Sequence, residues 1–210
     1  MTAPVRIVYA FDPMCGWCFG FRNAIRALRS EIGERAEWTI ASSALIPPSS
    51  AQPIGNLRES MLRGMAQVER RTQVRFGDAF KDGLLAKGTW IANSEPGCRA
   101  IFCASELAPQ RVFDFAEALS TSFYEEGEPQ DSEDTLRLCA EDAEMDADAL
   151  LAMWRSDTAK SATLAAFAMW KQRGITTYPG IFIERGAELE RIFEGYVDPD
   201  AAISRTLAAL

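Results

Sequence analysis

Two cysteines three positions apart, in the segment Cys15-Gly16-Trp17-Cys18, are the residues of this chain best suited to chemistry. One helical turn separates their Cα atoms by roughly 5 Å, within the range that a disulfide bridges. Such a pair exchanges with another disulfide, one sulfur attacking and the second resolving the mixed disulfide. Attack requires a thiolate, which is favoured at a helix N-terminus, where free N–H groups and the macrodipole are positive. Cys15 is expected to be the exposed, attacking sulfur and Cys18 the shielded one a turn deeper. Gly16 would let another chain approach closely, and Trp17 would offer it a flat apolar surface.

Rival chemistries find few residues. The chain has no histidine, which excludes a Ser-His-Asp triad, a Cys-His pair and histidine-ligated zinc. Its only lysines, Lys81, Lys87, Lys160 and Lys171, are remote from the cysteine pair in sequence, so a Schiff base has little support. Half a zinc site, or two inert cysteines opening a helix, are the alternatives for the pair itself. A zinc ribbon needs a second pair at comparable spacing, which Cys98 and Cys103 do not supply. In one helix those two lie roughly 7.5 Å apart along the axis, on different faces and beyond disulfide reach. With Cys139 they are expected to be small buried apolar residues.

The elements that must position the pair follow from pattern. Val5 to Phe11 reads as a buried strand, and Asp12-Pro13 breaks it. Asp12 is expected to be a turn residue, with accepting a proton near Cys15 or repelling its thiolate as the alternatives. Trp17, Phe21, Ile25, Leu28 and Ile32 then recur at helical spacing. Trp38 to Ser42 reads as a second strand, completing β-α-β. A turn-rich linker from Leu45 to Pro53 leaves the sheet, and from about Asn56 to Gly174 the pattern is helical almost throughout. Within it Ser94 is expected to cap a helix that has Pro96 in its first turn. Two strands, Gly180–Glu184 and Glu188–Glu194, precede a last helix opened by Asp198-Pro199. Thr176-Thr177-Tyr178-Pro179-Gly180 stands directly before the first of these. A proline there suits a cis peptide, with an ordinary trans proline at a strand edge as the alternative.

The order β-α-β, helices, then α-β-β-α is the one an α/β thioredoxin-like fold would have with a large all-helical subdomain inserted midway; the pattern gives the order and not the strand arrangement. The boundaries expected are a discontinuous thioredoxin-like domain over 1–50 and 170–210, and a helical subdomain over 51–169. The 48% hydrophobic and 25% charged composition is that of an ordinary globule. No run approaches membrane-span length, and no leader pattern precedes Val5, so a cytoplasmic protein without membrane partners is expected. The net charge of −8 argues against nonspecific nucleic-acid binding. Eleven acidic residues against Arg137 alone between Glu125 and Asp148 read as helix caps and solvated faces, with a docking patch as the alternative.

Asp12-Pro13-Met14-Cys15-Gly16-Trp17-Cys18, Tyr178-Pro179 ahead of a strand, and the long helical insertion together resemble the DsbA-like branch of the thioredoxin superfamily. The nearest resemblance is to the FrnE-type group of predicted cytoplasmic disulfide isomerases, which the segment Ser94-Glu95-Pro96-Gly97-Cys98-Arg99-Ala100 also resembles. The resemblance implies a redox-active Cys15/Cys18 pair and a cis Pro179 that shapes the substrate site with Tyr178 and Trp17. It implies thiol–disulfide oxidoreductase or isomerase activity without metal or organic cofactor. Its partners would be protein or small-molecule thiols and disulfides, glutathione among them. A glutathione-dependent isomerase or transferase, or a noncatalytic peptide-binding module, are other uses of the same fold. Gly-Trp stands between the cysteines where periplasmic DsbA has Pro-His. Without that imidazole a less oxidising couple is expected.

Overall fold

The structure, a computed structural model, describes residues 5–210. Residues 1–4 of the expected 1–50 segment lie outside the described residues. Strand β1 (Val5–Ala10) runs parallel to β2 (Ala36–Ala41), joined by helix α1 (Gly16–Ile32). A short ladder pairs β3 (Gln52–Pro53) with β4 (Ile91–Ala92), and between its strands lie helices α2 (Arg58–Thr72) and α3 (Leu85–Lys87). Five helices follow: α4 (Ser94–Leu107), α5 (Val112–Thr121), α6 (Glu133–Asp142), α7 (Ala147–Trp154) and α8 (Asp157–Gln172). The chain closes with β5 (Gly180–Arg185), β6 (Glu188–Glu194) and α9 (Pro199–Ala208). The main sheet has the order β2-β1-β5-β6, with β5 antiparallel to both β1 and β6. This is the thioredoxin-like α/β fold with a helical insertion between β2 and β5.

Central placement explains the composition of β1. It is paired on both edges and covered on both faces, so Ile7, Val8, Tyr9 and Ala10 are all buried. The second strand begins at Ala36 rather than Trp38, because Val5 to Ala10 supply partners for all of Ala36 to Ala41. Pairing, not local composition, sets its start. The β3–β4 ladder was not expected from pattern, since two residues per strand carry no readable alternation. The cap of α4 also differs. Asn93 is the N-cap, accepting from the Glu95 N–H at 3.0 Å, while the Ser94 hydroxyl accepts from the Ile46 N–H at 2.9 Å. Ser94 therefore ties the helix to the linker instead of capping it.

Two apolar clusters flank the site. The larger joins the main sheet to one side of α1, through Cys18, Phe21, Ile25 and Leu28, and to the inserted helices from α4 onward. The smaller surrounds Phe19 and Met14 with residues of α2 and with two π-helical stretches, Ala79–Leu84 and Ser122–Glu126. Opposite sides of α1 thus enter different cores, and the cysteine pair lies where they meet.

Candidate functional site

Cys15 is the N-cap of α1, with extended backbone, and its sulfur accepts a hydrogen bond from the Cys18 N–H at 3.2 Å. A sulfur in the capping position satisfies one of the orphan donors of the first turn. The Cys18 thiol is buried and pushed well above its ordinary value, first by desolvation and then by the neighbouring Cys15 sulfur. Both cysteines are in the free thiol form.

The expected exposure of Cys15 requires correction. Its residue surface is 5% exposed, against 1% for Cys18. The insertion is what closes over the motif. A Cβ on Gly16 would stand 3.5 Å from Phe76 and 3.8 Å from the Tyr124 hydroxyl. The chain that approaches Gly16 closely is therefore this one. Trp17 remains half-buried, with its ring 5.2 Å from that of Tyr196.

The loop before Cys15 is held at every residue. Asp12 is 0% exposed, and its carboxylate accepts from the Met14 N–H (2.9 Å), the Leu45 N–H (2.8 Å) and the Ser42 hydroxyl (3.3 Å). Burial still raises its pKa, outweighing those donors. The Pro13 carbonyl accepts from the Gln130 side chain at 2.9 Å, and the Met14 carbonyl from the Tyr124 hydroxyl. Gly97 lets α4 come this close, since a Cβ there would lie 3.0 Å from Pro13 and 2.9 Å from the Gln130 side-chain oxygen. Asp12 is thus the turn residue expected, with an additional role as a clamp between the motif and the end of β2.

Cys98 was expected to be an apolar filler. Its sulfur instead lies 3.8 Å from the Asp12 carboxylate and 3.5 Å from the Ser42 hydroxyl. Burial and the Asp12 charge push this thiol well above its ordinary value. Cys103 and Cys139 are buried, and desolvation raises them to about 11 and about 12 respectively. Such thiols are poor nucleophiles at neutral pH.

The Tyr178–Pro179 bond is cis and directly precedes β5. The Tyr178 phenol is turned inward, accepting from the Ser43 N–H at 2.6 Å and pairing with the Ser43 hydroxyl at 2.8 Å. Desolvation raises it to about 12. These bonds join the loop before β5 to the end of β2, beside the Asp12 clamp. Sequence reasoning missed Ser42, Ser43, Gln130 and Tyr124. The last two act on the motif from 117 and 110 positions away, beyond any local pattern.

The chain matches the DSBA-like thioredoxin domain over residues 6–203. Among solved structures, it is similar to a candidate protein disulfide isomerase from Nitrosomonas europaea at 27% identity and a TM-score of 0.82, covering 98% of this chain and 97% of that one. It shares its fold with the cytosolic disulfide reductase DsbM from Pseudomonas aeruginosa at 21% identity and a TM-score of 0.77, covering 97% and 98%. The same protein with GSH aligns at a TM-score of 0.72, with 21% identity and coverage of 98% and 100%. No curated protein sequence matches the chain. Among the described residues, no helix is long and apolar enough to cross a membrane.

Proposed function

The chain belongs to the DSBA-like thioredoxin domain family, and on that premise we propose that it works by dithiol–disulfide exchange through Cys15 and Cys18. The hydrogen bond from the Cys18 N–H to the Cys15 sulfur carries the reading, because an N–H aimed at sulfur stabilises the negative charge that attack requires. Cys15 attacks a substrate disulfide R–S–S–R′, forming Cys15–S–S–R and releasing R′S⁻. Cys18 then gives up its proton and attacks the Cys15 sulfur, releasing RS⁻. Two electrons pass from the pair to the substrate. Burial of Cys18 keeps its sulfur for this second, internal step.

Trp17, with Tyr196 beside it, and the backbone at Tyr178-Pro179 are the surfaces proposed to meet the substrate chain. In a cytoplasmic setting the resting pair is expected to be reduced, which favours reduction or isomerisation over net oxidation. Glutathione is the small thiol proposed to return electrons to the pair, a reading supported by the GSH-bound DsbM of the same fold. Trapping tests the proposal. A Cys18→Ser variant expressed in cells stalls at the mixed disulfide and is expected to yield covalent partners that a reductant releases. Recovery of no partner on Cys15, protein or glutathione, would defeat it.

A further inference from the structure

Resolution by Cys18 must expel a proton from a sulfur with no route to solvent through its own surface. Behind that sulfur, between β1, α1 and α5, lies a cavity of about 30 Å³, lined in part by Cys18, Tyr9, Arg22 and Ala116. That volume is room for a water. At the cavity's rim the Arg26 side chain, 58% exposed, pairs with Glu117 of α5. Among the described residues, two buried polar atoms at this cavity find no hydrogen-bond partner, the Tyr9 hydroxyl and one Arg22 guanidinium nitrogen.

Resting on the dithiol reading above, we infer that the Tyr9 hydroxyl takes up the proton of Cys18 as that sulfur attacks the mixed disulfide, and passes its own proton to water in this cavity. The Cys18 S–H bond breaks and the Cys15–Cys18 bond forms. The Cys15–S–R bond breaks, its electron pair leaving on RS⁻, and Tyr9 is neutral before and after. A relay suits Tyr9 better than a base would. Burial, and then charge on the Cys18 and Cys15 sulfurs, hold its phenol well above the ordinary value, so it must give a proton as it receives one.

The other groups around the pair are engaged elsewhere. Asp12 has its carboxylate committed to Met14, Leu45 and Ser42. Tyr124 donates to the Met14 carbonyl. Arg22 pairs with Glu125 through its other nitrogen at 2.8 Å, and Arg29 lies over the Phe113 ring at 4.0 Å.

A Tyr9→Phe variant keeps the ring contacts with Phe11 and Phe113 and deletes only the hydroxyl. Reduced protein is mixed with 5,5′-dithiobis(2-nitrobenzoic acid). A first thionitrobenzoate is released when Cys15 attacks, a second when Cys18 closes. Tyr9→Phe is expected to leave the first release unchanged and slow the second on the order of 10²-fold near neutral pH. The deficit should shrink as rising pH supplies hydroxide. Ala116→Leu, which fills the cavity from α5 with Tyr9 in place, is expected to slow the second release selectively as well, and decides the matter if Tyr9→Phe does not fold. An unchanged second release, or equal losses in both releases, overturns the relay. Failure of the wild-type protein to give any second release defeats the dithiol reading itself, which separates the two claims.

Discussion

Replacing Asp12 by alanine tests how the motif is held, and its sign with pH is set by the structure. The wild-type carboxylate satisfies the backbone N–H groups of Met14 and Leu45 and the Ser42 hydroxyl. Alanine orphans both N–H groups. Leu45 is half-exposed and regains water, whereas Met14 is buried and does not. One buried donor left without a partner costs about 1–3 kcal/mol, so a loss near 2 kcal/mol is expected, or about 4–8 °C in melting temperature for a domain of this size. Asparagine is no rescue, because both carboxylate oxygens face donors and its amide would set N–H against N–H. The pH dependence follows from burial, which raises the folded-state pKa of Asp12 above its unfolded value. The folded protein then binds the extra proton, so wild-type stability falls as pH rises from about 4, the unfolded value, through the raised folded one. The alanine variant lacks that fall. The stability gap between the two proteins should therefore be widest near pH 4 and narrow toward pH 7. Urea unfolding followed by tryptophan fluorescence, under reductant across that range, measures it. A gap that widens with pH would show a carboxylate stabilised as its anion and refute the reasoning.

Glycine substitutions give opposite expectations at two sites. At Gly77 a Cβ would lie 1.9 Å from the Glu125 carbonyl oxygen, so Gly77→Ala must displace the stretch that carries Tyr124, at a cost of about 1–3 kcal/mol. Cys15 alkylation should quicken in that variant as its cover loosens. At Gly64, inside α2, a Cβ would meet nothing within 4 Å, and Gly64→Ala should stabilise by about 0.5–1 kcal/mol in the same urea assay. Equilibration with glutathione redox buffers should place the Cys15/Cys18 couple below the roughly −120 mV of DsbA, since no imidazole stands between the cysteines; a value at or above it would contradict that expectation.

The sequence by itself determined the parts of this protein that are local. The β1-to-α1 junction was readable because a β-branched run, a proline break and an apolar stripe of helical period are short-range signals, and they put Cys15 at a helix start and Cys18 one turn on. The late strands, the last helix and the helical nature of the insertion were readable for the same reason. Tertiary structure alone decided the environment of the sulfurs. Phe76 and Tyr124 cover the motif, Gln130 and Tyr124 hold the carbonyls of Pro13 and Met14, and Cys98 lies against Asp12. Each of these contacts joins residues dozens of positions apart or more, so no periodicity records them. The face of β1 on which Tyr9 meets Cys18 is likewise set by how α1 and α5 pack on the sheet. A strand buried on both faces is apolar throughout, and its composition does not say which side chain looks toward the chemistry.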